Sequence, residues 1–247
     1  PGGNIRTGCL QEIATHKAGI IKPGIPVVTI EQEPKVKEIL SEEARQKKSR
    51  IYDISEDNLN FKEKAGKYID FLNANAYDKE RDVRTNIAGE FQKSNLAAAL
   101  QTAELICGRL DEDKIYEALS QIRISGRMEE IAPGIIVDVS HNIQGMQGFV
   151  QTVEANYHGM KKRILFAASH QNEEEYMKNI LKTIPEIEAF YTVGIHKRRI
   201  DEAEFQDAFR KMIDRNQETT VCFVVGSFYL AGMAKEFINQ EEENVRL

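Results

Sequence analysis

The spacing of apolar residues along this chain changes character near Gly134. Beyond that point, short apolar runs alternate with stretches in which apolar residues return every three or four positions. The runs at 135–139, 163–168, 189–193 and 221–225 predict strands; the stretches at 144–156, 173–183, 202–214 and 227–239 predict helices. Strands that are apolar on both sides belong in a parallel sheet covered by helices on both faces. With right-handed crossovers these βα units form a Rossmann-like α/β domain.

Before Gly134 the pattern is mixed. Residues 10–20 predict a helix ending near Gly19, followed by a Lys22-Pro23-Gly24 turn and a β-rich run over 25–30. Pro34 opens a charged helix to about Arg45, and 51–54 forms a second short strand. Residues 55–85 are polar and read as loop plus a short strand or hairpin. A helix is expected over 94–107 with Ser94 as its N-cap, then another over 111–122 that starts on acids. The domain boundary is expected at Ser125-Gly126, dividing 1–125 from 126–247. The acidic tail, Glu241 to Glu243, is expected to fray.

Composition refines this picture only slightly. Hydrophobic residues are 41% of the chain and charged ones 29%, ordinary values for a soluble globular protein. A net charge of −6 leaves no basic excess for nucleic acid, though it permits a local cationic pocket. No apolar run approaches the roughly 18 residues of a membrane span, and no signal-peptide pattern opens the chain. Cys9, Cys107 and Cys222 are odd in number and far apart, as expected of free thiols in a reducing cytoplasm. Pro1-Gly2-Gly3, without an initiator methionine, reads as the start of a fragment or a processed chain.

The polar chemistry concentrates at 125–145, SGRMEEIAPGIIVDVSHNIQG. An aspartate ending a buried strand is costly unless it is paired or at work. Ligands of open α/β sheets bind at the carboxyl ends of strands. Arg127 could hold a phosphate or a carboxylate, and Asp138 could accept from a ribose hydroxyl or orient His141. A domain-junction salt bridge and a helix-capping Asp/Asn pair explain the same residues without a ligand. Asn95, at a helix start, offers either a cap or an amide that reads a purine edge. Lys17, beside His16 near a helix C-terminus, fits dipole compensation; carbamylated, it becomes an anion able to bind metal. His170 and the His196-Lys197-Arg198-Arg199 cluster follow strands at the same expected sheet edge. Gly226-Ser227 turns the last strand into its helix, with Ser227 as N-cap. Neither GxxxxGK[ST] nor a strand-following GxGxxG is present, so the chain lacks the usual cradle for a triphosphate.

In chain order these segments resemble the folylpolyglutamate synthase/dihydrofolate synthase branch of the Mur ligase superfamily. The resemblance rests on Ile13-Ala14-Thr15-His16-Lys17-Ala18-Gly19-Ile20-Ile21-Lys22-Pro23-Gly24 with Pro26-Val27-Val28, then on Gln92 and Asn95 before an alanine run. Gly126-Arg127-Met128-Glu129, Asp138-Val139-Ser140-His141-Asn142 and Gly226-Ser227-Phe228-Tyr229-Leu230-Ala231-Gly232 complete it. It implies the end of a central ATPase domain followed by a Rossmann-like ligase domain with a mainly parallel sheet. It also implies ATP-dependent joining of glutamate to a folate or dihydropteroate carboxylate through an acyl phosphate, with Mg2+ as cofactor. Asn95 is then expected to contact adenine, Arg127 and Asp138 to complete the ATP site, and His141 to lie beside them in a catalytic role. Lys17 is expected to be catalytic and, if carbamylated, to help hold magnesium. The sequence departs from the family at His16 (usually glutamate), at Ser169-His170-Gln171-Asn172, at Arg198-Arg199-Ile200 and at Ile143. The N-terminal half with the phosphate loop is missing from the match. The chain alone is therefore expected to be inactive; the alternative is a non-catalytic nucleotide- or folate-binding or interaction module.

Overall fold

The computed structural model describes residues 9–30, 33–54, 60–61, 70–73, 81–89, 92–108, 111–169, 171–196, 199–213 and 219–246. They group into two compact units. The first takes most described residues up to 118; the second takes 85–89 and 119–246.

In the first unit, helix α1 (Cys9–Ala18) leads through the Pro-Gly turn to strand β1 (Val27–Ile30). Helix α2 (Pro34–Gln46) then crosses to β2 (Ile51–Ile54), parallel to β1 with Val27 opposite Ile51. Proline in the first turn of α2 suits the helix, because its fixed φ is helical and no carbonyl awaits its missing N–H. Buried Ala18, Ile21 and Ala44, with Ile39 and Leu40, form the small core. The polar stretch becomes a three-stranded antiparallel sheet, β3 (Asn60–Phe61), β4 (Asp70–Asn73) and β5 (Arg81–Arg84), one strand more than a hairpin. Helix α3 (Gln92–Cys107) starts two residues earlier than expected. Ser94 is therefore inside the first turn and is not the N-cap; Gln92, buried, replaces it at the helix start. Helix α4 (Glu112–Gln121) begins after Asp111, whose carboxylate accepts from the Lys114 amide.

The second unit is built on a five-stranded sheet. Its strands are β6 (Glu129–Ala132), β7 (Ile135–Asp138), β8 (Lys161–Phe166), β9 (Ile187–Thr192) and β12 (Thr220–Val225), in the order β6-β7-β12-β8-β9. All pairings are parallel except the β6–β7 hairpin. The short pair β10 (Ile195–His196) and β11 (Arg199–Ile200) lies after β9. The helices are α5 (Ile143–Asn156), α6 (Glu174–Leu181), preceded by a 3-10 turn, α7 (Glu202–Ile213) and α8 (Phe228–Arg246).

Side-chain alternation divides the core by face. Val221, Phe223 and Val225 pack with Phe149 and Val153 of α5 and with Met177 and Leu181 of α6. Cys222 and Val224 pack with Phe205 and Phe209 of α7 and with Leu230, Ala234 and Phe237 of α8. Each fully buried large side chain of this kind stabilises by about 1.5–3 kcal/mol. The parallel sheet covered on both faces is therefore as expected. Strand β6 was not foreseen: it forms because the Pro133-Gly134 turn, with Gly134 at φ 73°, returns Glu129–Ala132 against β7. The expected fraying at Glu241 also fails, since α8 runs to Arg246 and Arg210 reaches Glu241 at 3.7 Å.

Candidate functional site

The carboxyl end of β7 gathers Arg127, Asp138 and His141 within the second unit. Asp138 has no exposed surface. Its Oδ1 accepts from the Ser140 amide at 2.8 Å and the Ser140 hydroxyl at 2.6 Å, and its Oδ2 from the Met128 amide at 3.0 Å. Burial pushes the carboxyl pKa above the usual range; the Ser140 and Met128 hydrogen bonds and the nearby Arg127 charge oppose that shift. The strand-end aspartate thus ties its own loop to the turn that carries Arg127.

That turn is held on every side. Its Gly126 has φ 70°, and a Cβ there would lie 2.7 Å from Val139 Cγ1. The Gly126 carbonyl accepts from Val139 N at 2.9 Å, and the Arg127 amide donates to the Ile124 carbonyl at 3.1 Å. Met128 sits at φ 45°, a left-handed conformation rare for a side-chain-bearing residue. Arg127 itself is half-buried, and no hydrogen bond or ion pair joins its guanidinium to another described residue.

His141 meets the Val139 carbonyl through Nδ1 at 3.0 Å, and its ring lies 5.6 Å from that of Phe228. Phe228, 59% exposed, opens α8 just beyond the end of β12. Asn142 caps α5, accepting from Gly145 N at 2.7 Å, and Ser227 does the same for α8, accepting from Tyr229 N at 3.1 Å. Two helix N-termini and a guanidinium without a hydrogen bond to a described residue, at the carboxyl end of one sheet, suit an anion. Between them, Gly226 has φ 107°, and a Cβ would lie 2.5 Å from the Ala167 carbonyl.

The other expected site residues lie in the first unit. Lys17 is exposed on the last turn of α1, where a cation complements the helix dipole. Asn95 is exposed in the first turn of α3, and its amide donates to Gln92 Oε1 at 2.7 Å. It is not the N-cap that helix-end chemistry suggested. Among the described residues, no group of three His, Cys, Asp or Glu could hold a metal ion. Expected candidates His170, Lys197 and Arg198 lie outside the described residues; His196 is exposed in β10.

One residue of the second unit's site, Lys235, carried no sequence signal of its role. Lys235 of α8 donates to Ser125 Oγ at 2.6 Å and pairs with Glu129 Oε2 at 2.5 Å; Glu129 Oε2 also accepts from Gly126 N at 2.5 Å. Ser125 and Lys235 stand 110 positions apart, beyond any local pattern.

This mostly parallel α/β architecture with a polar strand-end site is Mur-ligase-like. No family model matches the chain. It is 26% identical over 191 residues to a dihydrofolate synthase/folylpolyglutamate synthase of Bacillus subtilis, covering 73% of this chain and 44% of that protein. It is 28% identical over 155 residues to a folylpolyglutamate synthase of Lacticaseibacillus casei, covering 59% of this chain and 36% of that protein. Among solved structures, folylpolyglutamate synthase from Thermotoga maritima superposes with a TM-score of 0.72 at 23% identity, over 95% of this chain and 59% of that one. A complex of FPGS with AMPPCP and folate superposes with a TM-score of 0.74 at 21% identity, over 96% of this chain and 59% of that one. The chain is thus similar in sequence to folylpolyglutamate synthases and shares their fold. It spans about half the length of the relatives it matches.

Proposed function

We propose that this chain carries the adenosine-side and carboxyl-terminal part of an ATP-dependent ligase that adds glutamate to a folate or dihydropteroate carboxylate. The observation that carries the reading is the Arg127 turn: a guanidinium with no hydrogen bond to a described residue, on a backbone fixed by a wholly buried Asp138. In this reading a folate carboxylate oxygen attacks the terminal phosphorus of ATP, giving an acyl phosphate and ADP. The glutamate amine then attacks the acyl carbon, phosphate leaves, and the amine proton passes to a base.

Arg127 binds the nucleotide by charge and hydrogen bonding. Asp138 serves that contact by holding the Met128 and Ser140 amides. His141, fixed by the Val139 carbonyl and flanked by Phe228, is the imidazole available at the same edge to move a proton. Asn95 reads the adenine edge through its exposed amide. Lys17 acts only as a carbamate, and no step is routed through magnesium. Catalysis needs a phosphate-cradling segment supplied by an N-terminal half like that of the relatives, and the reaction belongs in the cytoplasm. A second reading is a nucleotide-binding module without turnover, since these 247 residues carry no GxxxxGK[ST] phosphate loop.

A hybrid separates them, with the amino-terminal half of the Bacillus subtilis relative placed before this chain. Folate- and glutamate-dependent ADP release from the hybrid, and none from the chain alone, is expected. A folded hybrid that binds AMPPCP without releasing ADP would favour the module.

A further inference from the structure

The turn that carries Arg127 is strained and crowded, so its geometry must be held by contacts from outside it. Met128 at φ 45° and Gly126 at φ 70° both sit in the left-handed region, which is unfavourable for a residue with a side chain. Asp138 and Val139 hold the turn from the β7 side. Met128 packs into the core beside Ala88 and Phe149, and Lys235 of α8 holds the turn's flanks. Lys235 Nζ reaches Ser125 Oγ at 2.6 Å and Glu129 Oε2 at 2.5 Å, so it bridges the residues on either side of the turn. The same Glu129 oxygen accepts the Gly126 amide at 2.5 Å. Lys235 and Glu129 are each about three-quarters covered, at 27% and 25% side-chain exposure, so solvent screens this pair less than an open surface bridge.

We infer that Lys235 is a positioning residue: through Glu129 and Ser125 it fixes the Gly126–Met128 turn and thereby sets the place of the Arg127 guanidinium. The inference rests on the nucleotide-binding reading for its functional consequence, but not for its structural one. Lys235 touches no substrate in this account. Helix α8 serves the site twice, presenting Phe228 to His141 at its first residue and fastening the Arg127 turn two turns later. The lysine's effect on a ligand must therefore pass through Arg127.

Two measurements on the 247-residue chain test this. Calorimetric titration with ADP gives the first. Lys235→Ala is expected to weaken ADP binding about tenfold, the order of one lost charge-assisted contact. Lys235→Arg, whose fork can meet both acceptors, is expected to stay close to wild type. In an Arg127→Ala background, Lys235→Ala is expected to cause no further loss. Wild-type affinity in Lys235→Ala, or an equal further loss without Arg127, overturns the inference.

Amide hydrogen exchange gives the second measurement and needs no nucleotide. Lys235→Ala is expected to speed exchange at Gly126 and Arg127 while Phe223 and Val224 in β12 stay protected. Glu129→Gln keeps an oxygen for the Gly126 amide and loses only the ion pair; it is the second variant should Lys235→Ala not fold, and a smaller change of the same kind is expected. Unchanged exchange at Gly126 and Arg127 overturns the inference. Faster exchange in a chain whose wild type binds no ADP sinks the nucleotide reading and leaves the positioning role standing.

Discussion

Asp138 and Arg127 carry opposite charges and have opposite surroundings. The carboxylate is sealed among three donors, whereas the guanidinium has no described partner. Replacing Asp138 by Asn sets an NH2 where an acceptor stood, so either the Met128 or the Ser140 donors lose their bond. Asp138→Asn is expected to destabilise the chain by about 1–3 kcal/mol in urea unfolding at neutral pH. The pH dependence has a definite sign. A carboxyl raised in the folded state binds its proton before the unfolded chain does, so its contribution to stability grows as pH falls through the folded pKa and levels off below the unfolded value. The stability of wild type relative to Asp138→Asn should therefore rise on acidification from neutral pH, and a fall would contradict the assignment. A second residue-scale expectation concerns thiols. Burial pushes the Cys222 pKa up to about 11, with Arg163 opposing the shift, while Cys107 is exposed. Maleimide labelling of the native chain near pH 7.5, mapped by mass, should modify Cys107 and spare Cys222 until denaturant is added.

At the scale of elements, the turn from β12 into α8 is the most crowded backbone of the second unit. A Cβ at Gly226 would meet the Ala167 carbonyl at 2.5 Å and the Phe166 ring at 2.7 Å, so backbone must move. Gly226→Ala is expected to cost about 2–4 kcal/mol, more than a helix-interior glycine change would alter. The start of β8 offers a contrasting case. Lys162 is wholly buried and its ammonium meets Glu186, at the strand's edge, at 2.8 Å. Removing the glutamate strands a buried cation, whereas Lys162→Met removes charge and keeps volume. Glu186→Ala should lower the urea midpoint more than Lys162→Met does, and the reverse order would mean the ion pair itself holds the edge.

These elements also show which features the sequence made legible. The parallel strands of the second unit could be read because both of their faces are buried, which makes their apolar runs continuous. Strand β6 could not, since Glu129-Glu130-Ile131-Ala132 opens on two acids without apolar alternation and is a strand by pairing with β7. The α3 boundary was misplaced because Ser94 is a good capping residue by type, yet helix geometry continues through Gln92. Arg127, Asp138 and His141 were legible as a cluster because they follow one another along the chain. Lys235 was not, because its partners are brought to it only by the fold.

For the molecule as a whole, the two units differ in what they contribute. The second is a doubly covered sheet with its own core, and the described residues of the first form one pair of parallel strands and a small antiparallel sheet. A parallel sheet normally has both faces covered and more strands than two. Phosphoryl transfer depends on positioning and on charges arranged around the phosphates. The part proposed for this chain is a nucleotide contact through Arg127. Titration of AMPPCP into wild-type chain and Arg127→Ala, followed by calorimetry at fixed salt, tests the central claim most directly. Saturable binding by wild type, weakened about tenfold or more in Arg127→Ala by loss of a charge-assisted contact, is predicted. Equal affinity in the two proteins would contradict it.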